Sequence, residues 1–532
     1  MAASSRRLTT AGWWALAALL AILLVVALTG SRERWPGLVG DEATYLMQAQ
    51  SLAWDGDLRF AAEDLDRFRE RRGHSPEVIL QSGDRGERIV YGKPFLYAAA
   101  IAPLVRMLGE RGAVLANVLA LGVAGLLAAL ALIRQGNPAG PWWIAVALFG
   151  SVAFGHVFWI HPDLFLMAAA ASGLALAHLL RCPSPREAGR GGRGRALAWF
   201  AAGALLAIPA AWRPPYLVLL LPGAFLAAGG VPGGGAAAVT AGRTAATRVG
   251  AFGAGAAVVA ALTLGGQQLV SGSWSPYAGE RRGFSELEGF PGIDFPAGEW
   301  SARVESKGNT SWLREGAFGP GFSPALNGWN ATYLLLGRTV GLVPYFLPAL
   351  AALLRRRFTA AALVQVIAGL AVPLAFLLVR PFNFYGGAGA LGNRYFLPAY
   401  PMFWFTGAGP LRCAVTLLAA APFLWPLWSA PAAYPLVPGE GYRYVGPAAH
   451  LLPVESTQRH VKAPGRADVV HGTLWVRFLD GGLEPVDDEA TLLALGPGRA
   501  AEIFVGSGSP LESVTVEVFG AAPGELRVSG PG

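Results

Sequence analysis

Charged residues are scarce in this sequence: Asp, Glu, Lys and Arg make up 14% of its 532 residues. Soluble domains carry about 25%, so the composition excludes a soluble globular enzyme. Cysteine is nearly absent, with two residues, which excludes a disulfide framework and a cysteine-rich metal site. The sequence also lacks a phosphate-cradling Walker loop and a nucleophile elbow, which argues against ATP-driven transport and serine hydrolysis.

What the sequence has instead is apolar residues, 53% of the total, arranged in runs near 20 residues long. A helix of that length crosses about 30 Å of hydrocarbon. We therefore predict an α-helical polytopic membrane protein with about eleven spans. The expected spans are approximately residues 13–29, 113–133, 142–160, 164–180, 197–212, 215–229, 249–270, 331–354, 359–379, 396–410 and 413–428.

The net charge of +8 is spread over short basic clusters between the apolar runs and forms no single stripe. This pattern argues against a nucleic-acid partner. Lys and Arg concentrate in cytoplasmic loops of membrane proteins, so the clusters predict a plasma (inner) membrane protein with a cytoplasmic N-terminus and an extracytoplasmic C-terminus. The clusters that set this orientation include Arg134, residues 181–195, Arg243 with Arg248, Arg355 to Arg357, and Arg412.

Three long segments are expected outside the cytoplasm. The acidic loop 30–112 contains two amphipathic stretches that predict helices lying along the membrane surface. Residues 271–330 are rich in Gly, Pro, Ser and aromatics and predict a long ordered loop. Residues 429–532 alternate apolar and polar positions, as in 473–479 and 513–519, and predict a small β-sandwich-like domain. The expected division is a transmembrane domain, 1–428, and this β domain.

Acidic residues and a histidine stand at two outer turns. Asp41 and Glu42 follow the first span, and His161 with Asp163 follows the third. Acids are often placed at a helix N-terminus for electrostatic reasons alone, and an interfacial turn can simply be hydrated. A carboxylate in a water-filled cleft at the membrane can also accept a proton from an attacking hydroxyl, which makes these residues candidates for catalysis.

Several cations lie near the predicted outer ends of spans, against the positive-inside bias. Any one of them could reach towards lipid headgroups by snorkelling. As a group they suit an anionic ligand at the outer interface, such as a lipid phosphate, because Arg offers a bidentate fork and Lys a point charge. These residues are Lys93, Arg213, Arg338, Arg380 and Arg394.

The motifs GDEATYLMQAQSLAWDGDL, KPFLY, WIHPDLFL and GNRYFLPAYP occur in this order along the chain. Together they resemble the GT-C superfamily of membrane glycosyltransferases, and more narrowly the bacterial relatives of protein O-mannosyltransferases and of the lipid A aminoarabinose transferase. The resemblance covers about the first 180 residues and, by motif, residues 390–401.

The resemblance implies a role for each matching residue. The acid after the first helix, Asp41 with Glu42 beside it, would be the catalytic base, and Asp163 with His161 would form the second acidic motif. Lys93, Arg394 and Arg213 would hold the phosphate of a polyprenyl-phosphate sugar. Some relatives use a divalent ion at paired acids, so Asp41 and Asp163 could bind Mg²⁺ or Mn²⁺; no other cofactor is expected.

The sequence thus predicts a glycosyltransferase that moves a sugar from a polyprenyl-phosphate donor to an extracytoplasmic acceptor: a lipid, a glycan or a protein. Direct displacement would invert the anomeric carbon, by analogy with glycosidases. One alternative is a flippase or transporter of polyprenyl-linked glycans, which would predict helix-breaking or charged residues near the bilayer midplane. Another is a noncatalytic membrane protein whose β domain binds envelope glycan.

Overall fold

The structure is a computed structural model. It describes residues 2–29, 38–83, 88–182, 192–229, 237–274, 281–300, 324–430 apart from 356, 382, 387–390 and 408, then 444–455 and short strands between 469 and 507. In these residues the α-helices are α1 (Ala2–Thr29), α2 (Asp41–Trp54), α3 (Ala62–Arg72), α4 (Leu96–Leu108), α5 (Glu110–Arg134), α6 (Gly140–Phe149), α7 (Pro162–Arg181), α8 (Gly192–Trp212), α9 (Leu220–Ala227), α10 (Ala237–Ser271), α11 (Pro324–Leu336), α12 (Leu342–Tyr345), α13 (Leu347–Leu353), α14 (Ala360–Val379) and α15 (Pro410–Ser429).

Seven helices in the described part of the chain are long and apolar enough to cross a membrane: α1, α5, α7, α8, α10, α14 and α15. An eighth span forms if α6 is joined to the 3₁₀ helix Val152–Phe158, which follows it at an angle of 68°. The length of these helices matches the thickness of the hydrocarbon layer, and their apolar side chains suit its interior. The protein is therefore a multi-pass membrane protein.

Within the described residues there are fewer continuous spans than the eleven expected, because three predicted spans are broken. Residues 215–229 fold as the 3₁₀ helix Pro214–Leu219 followed by α9. Residues 331–354 are divided among α11, α12 and α13. Residues 396–410 contain the 3₁₀ helix Leu397–Thr406, whose ten residues are all buried. Each of these shorter elements has a proline in its first turn, which lacks a backbone donor and disfavours a continuous α-helix through the residue before it. These prolines are Pro214, Pro222, Pro324, Pro344, Pro348 and Pro398.

The helices alternate in direction, so their ends form two distinct surfaces. One surface bears the candidate residues. Asp41, Arg213 and Arg394 follow the C-terminal ends of α1, α8 and α14, and Asp163 lies in the first turn of α7. The N-terminal ends of α14 and α15 and the C-terminal ends of α5 and α13 lie at the opposite surface. The sequence places the basic clusters at this second surface, the one predicted to be cytoplasmic.

The first loop forms a compact layer at the site-bearing surface. Both amphipathic stretches are helices, α2 and α4, as expected. Between them lie α3 and the strands β2 (Glu77–Gly83) and β3 (Arg88–Tyr91), which pair antiparallel. The short strand β1 (Val39–Gly40) pairs parallel with β2. A separate apolar core, including Tyr45, Leu80 and Tyr97, stabilises this layer by removing their side chains from water.

The second loop contributes a strand to the same sheet. Strand β4 (Arg281–Phe284) pairs antiparallel with β2, with Arg281 opposite Gln81 and Arg282 opposite Leu80. The predicted ordered loop, 271–330, therefore contains sheet structure, and its residues 275–280 and 301–323 lie outside the described residues. The two loops together cover one surface of the helical domain.

Segment 444–455 returns to the helical domain after α15. Beyond it, strands β5 (Val469–His471), β6 (Leu474–Phe478) and β9 (Ile503–Ser507) form one sheet, while β7 (Leu483–Pro485) and β8 (Leu493–Leu495) pair with each other. Strand β6 falls within the predicted strand 473–479. The other predicted strand, 513–519, lies outside the described residues, so the β-sandwich domain stays a prediction.

Candidate active site

Asp41 is placed by a sharp turn from strand β1 into helix α2. Gly40, the N-cap of α2, has φ +59° and ψ −115°, a conformation that an L side chain rarely adopts. The Thr44 hydroxyl donates to the Gly40 carbonyl (2.6 Å) and accepts from the Ile79 amide (2.8 Å), which ties the first turn of α2 to strand β2. Asp41 is thus the first residue of α2, where the helix dipole favours a negative charge.

Lys93 approaches Asp41 from the segment between β3 and α4. Its Nζ lies 2.6 Å from Asp41 Oδ1, and the Gln48 side-chain amide donates to the Lys93 carbonyl (3.1 Å), which fixes the backbone. The ammonium also lies 5.8 Å from the centre of the Tyr45 ring, on its face. The first two turns of α2 therefore both supply the acid, Asp41, and hold the backbone of its cation through Gln48.

His161 joins the two acids. Its Nε2 lies 3.2 Å from Asp41 Oδ2, and its Nδ1 lies 2.9 Å from Asp163 Oδ2. The imidazole stacks on the Trp159 ring at a centroid distance of 4.5 Å. A single imidazole therefore bridges the first and the second acidic motif.

Two arginines complete the cluster. Arg394 Nη1 lies 3.2 Å from His161 Nε2, and Arg394 Nε lies 3.8 Å from Asp163 Oδ2. Arg213 Nη1 lies 3.4 Å from Asp163 Oδ1. Since Nε2 of His161 faces both a carboxylate and a guanidinium, it donates to Asp41 when it carries a proton and accepts from Arg394 when it does not. The position of one proton thus decides which group His161 binds.

Hydrogen bonds from several elements fix these groups. The Asn117 amide on α5 donates to the Val157 and Trp159 carbonyls (3.1 and 2.9 Å) and holds the turn before His161. The Tyr216 hydroxyl donates to the Tyr395 carbonyl (3.0 Å) beside Arg394. Gly386 (φ +104°) lies under Arg394, and a Cβ there would overlap the arginine side chain. The arginine therefore needs glycine at that position.

Exposure separates the two aspartates. The Asp41 side chain is 27% exposed and that of Asp163 is 1% exposed. An incoming hydroxyl can reach Asp41 directly, whereas Asp163 is enclosed by His161 and the two arginines. The geometry thus makes Asp41 the accessible carboxylate and Asp163 a buried partner that orients and neutralises its neighbours.

The charges of the cluster shift its titration. Burial raises the pKa of Asp41, but the Lys93 ammonium and His161 outweigh it, so the pKa lies well below its usual range. Burial lowers the pKa of Lys93 to about 8, and the nearby Arg281 lowers it further, while Asp41 opposes both. At neutral pH the acid is ionised, and the lysine is close to losing its proton.

The structure brings together six of the seven residues to which the resemblance gives a role: Asp41, Lys93, His161, Asp163, Arg213 and Arg394. Glu42 takes a different place, because its Oε1 accepts a hydrogen bond from the Ile160 amide (3.0 Å) and its side chain is buried. Of the two further outer cations, Arg338 donates to the carbonyls of His450 and Leu452 in segment 444–455. Arg380 lies near Tyr395: burial raises the pKa of that phenol, but Arg213, Arg394 and Arg380 together lower it below its ordinary value.

Sequence reasoning missed Arg281. Strand β4 places it opposite Gln81, near enough to lower the pKa of Lys93. The only signal in the sequence is the pair Arg281-Arg282 in a loop otherwise rich in Gly and aromatics. Its position depends on pairing between strands about 200 residues apart, which no local pattern reveals.

The residues present do not fit the divalent ion that the sequence left open. The carboxylates of Asp41 and Asp163 are separated by His161, and both face cationic groups: Lys93 for Asp41, and Arg213 with Arg394 for Asp163. Such neighbours repel a second cation. Within the described residues, no group of three or more His, Cys, Asp or Glu side chains is arranged to hold a metal ion.

The helices and this cluster define a multi-pass membrane protein with a mixed acidic and basic site at one end of its helical domain. No family model matches the sequence, and no curated protein matches it. A solved structure that does match is the crystal structure of ArnT from Cupriavidus metallidurans bound to undecaprenyl phosphate, with 16% identity, a TM-score of 0.42 and 78% of this chain covered. The chain spans 64% of the length of that structure.

Proposed function

We propose that the protein is a membrane glycosyltransferase that transfers a sugar from a polyprenyl-phosphate donor to a hydroxyl acceptor at the outer surface of the membrane. The observation that carries the proposal is the convergence of one accessible carboxylate, Asp41, with a lysine and an arginine, Lys93 and Arg394. A base and a phosphate-binding pair are the two groups that this reaction needs. The sequence resemblance to membrane glycosyltransferases, stated above, points the same way.

The cations suit the departing phosphate. Lys93, Arg213 and Arg394 face Asp41 and Asp163, so the cluster has one positive charge in excess, before Arg281 is counted. Cleavage of the bond between the anomeric carbon and the phosphate oxygen leaves the electron pair on the phosphate, which gains negative charge. Charges already in position in a poorly hydrated site stabilise that change without rearrangement.

Asp41 serves as the base. The acceptor oxygen attacks the anomeric carbon, the new carbon–oxygen bond forms as the phosphate leaves, and the hydroxyl proton passes to Asp41. His161 Nε2, 3.2 Å from Asp41, donates to the ionised carboxylate when it carries a proton. Direct displacement of this kind inverts the anomeric carbon.

The ion pair between Asp41 and Lys93 gives the reaction an order. Lys93 binds Asp41 and makes it a weak base. A donor phosphate competes for the same ammonium, so that binding of the donor weakens the pair and raises the basicity of Asp41. Asp41 thereby becomes a stronger base only when the donor is present.

The test is Asp41→Asn in the full-length protein, with radiolabelled polyprenyl-phosphate sugars as donors. The expected result is a fall in transfer of about 10²- to 10⁴-fold, with donor binding retained, because Lys93 is released to the phosphate. Asp55→Asn is the matched control: Asp55 is half-exposed and paired with Arg67, away from the cluster. Transfer unchanged in Asp41→Asn excludes this base. If the unmodified protein cleaves no donor but moves lipid-linked glycan across the bilayer, the protein is a transporter.

A further inference from the structure

A cavity lies at the opposite end of the helical domain, away from the acidic and basic cluster. It has a volume of about 840 Å³, within the range of ligand-binding pockets. Its walls come from the C-terminal ends of α5 and α13, the end of the 3₁₀ helix Leu397–Thr406, and the first two turns of α15. Nothing in the proposed glycosyl transfer uses this cavity.

The charged residues that line the cavity are all of one sign. Two arginines line it, Arg355 and Arg412, and no acidic residue does. The first turn of α15 adds the amides of Leu411 and Arg412, which cannot be satisfied within the helix. Arg355 is held in place by its hydrogen bond to the Thr406 carbonyl. The cavity is therefore complementary to an anion.

The apolar lining of the cavity continues beyond it as an exposed strip along α15. Leu411 and Val415 line the cavity and are 79% and 56% exposed. Leu418 and Trp425 extend the same exposed face along α15, which lies among the membrane-spanning helices. A small soluble anion would leave this strip unused, whereas a lipid would place its phosphate against the arginines and an acyl chain along the strip.

We propose that this cavity is a binding site for the headgroup of an anionic phospholipid, at the membrane surface opposite the candidate active site. The occupant is a lipid because the charge complementarity of Arg355 and Arg412 is joined to a continuous lipid-facing strip. The inference does not depend on the proposed glycosyl transfer, since the two sites lie at opposite ends of the spans.

Native mass spectrometry of the full-length protein released from detergent tests the site, with phosphatidylglycerol, phosphatidylcholine and glycerol phosphate as three separate probes. The decisive variant is Arg412→Glu, and the matched control is Arg357→Glu, which makes the same change of charge at an exposed residue that does not line the cavity. We expect Arg412→Glu to weaken retention of phosphatidylglycerol about tenfold and Arg357→Glu to leave it unchanged.

Three results overturn the proposal: equal loss in both variants, equal retention of phosphatidylcholine by the unmodified protein, or glycerol phosphate retained as well as the lipid. The first would show a diffuse electrostatic attraction, and the last a site for a soluble anion. Arg355→Gln is the second variant, because it removes the other guanidinium while leaving Arg412 in place. It is expected to weaken phosphatidylglycerol retention in the same direction, and unchanged retention there also counts against the site.

Discussion

The ammonium of Lys93 lies 2.6 Å from the carboxylate of Asp41. In the proposed reaction Lys93 binds the donor phosphate and Asp41 accepts the proton of the acceptor hydroxyl. These two groups therefore bind each other until the donor competes for Lys93. Binding of the donor phosphate to Lys93 would weaken this pair, which links donor binding to the basicity of Asp41. The pH dependence of the reaction should report this relationship.

The first prediction concerns the alkaline side of the pH profile. Because the pKa of Lys93 is lowered to about 8, the ammonium is lost as the pH rises through that value, and the affinity for the donor phosphate falls with it. The ratio kcat/KM for the donor reports the free enzyme, so it should decline with a midpoint near pH 8. Steady-state kinetics at a series of pH values measures this.

Lys93→Arg is the matched variant for the alkaline limb. A guanidinium keeps its charge over the whole range, so the decline in kcat/KM near pH 8 should disappear even if the maximal rate is lower. A decline that persists unchanged in Lys93→Arg would assign the titration to another group.

The second prediction concerns Asp163. Asp163→Asn removes the negative partner of His161 Nδ1 and of two arginines. By comparison with the loss of a carboxylate behind a catalytic histidine, kcat should fall by up to about 10⁴-fold. The midpoint of thermal unfolding of the variant separates this loss from misfolding. A folded variant with unchanged kcat would show that Asp163 does not act through His161.

Much of this site was predictable from residue types at helix ends. Charged and polar side chains are unfavourable in a lipid-facing span, so their presence at helix ends indicates a functional site. This applies to Asp41, His161, Asp163 and the outer cations, and the motif resemblance assigned roles to most of them. The close packing of these residues was a consequence of helix direction, which the alternation of basic clusters predicts. Side-chain orientation was not predictable, as Glu42 shows: it is adjacent to Asp41 but binds the Ile160 amide.

The broken spans were not predictable from hydropathy, because a buried irregular segment is as apolar as a lipid-facing helix. Residues Leu397–Thr406 are completely enclosed by other helices, and their backbone can therefore be irregular at membrane depth. Likewise Arg281 reaches the site through strand pairing with β2. Non-local contacts of this kind leave no periodicity in the sequence.

The third prediction separates the two adjacent acids. Glu42→Ala removes the acceptor of the buried Ile160 amide, which should lower the free energy of unfolding by about 1–3 kcal/mol. Transfer activity per folded molecule should change far less than in Asp41→Asn. Thermal unfolding in detergent together with donor turnover measures both. A large loss of turnover in fully folded Glu42→Ala would give Glu42 a direct part in the reaction.

The fourth prediction concerns the segment that follows the last span. Glu455 is buried, and its Oε1 accepts hydrogen bonds from the Thr339 and Val340 amides (2.7 and 2.9 Å). The Thr339 carbonyl in turn accepts from the Gly392 amide (2.7 Å), two residues before Arg394. Segment 444–455 thus supports the backbone that carries a proposed phosphate-binding residue.

Glu455→Ala leaves two buried amides without their acceptor, so it should raise the donor KM more than it lowers kcat, because Arg394 is misplaced while Asp41 is not. Burial raises the pKa of Glu455 above its ordinary value, so the folded state binds the proton more tightly than the unfolded state. Its contribution to stability is therefore fully present at acid pH and is lost as the pH rises through the raised pKa.

Glu455→Gln keeps an oxygen for the two amides and has no proton to lose. It should therefore preserve the donor KM and remove this part of the pH dependence of thermal unfolding, so that the variant equals or exceeds the unmodified protein in stability at neutral pH. If Glu455→Gln raises the donor KM as much as Glu455→Ala does, the negative charge itself acts on the site, and support of the Gly392 backbone is not the reason for the effect.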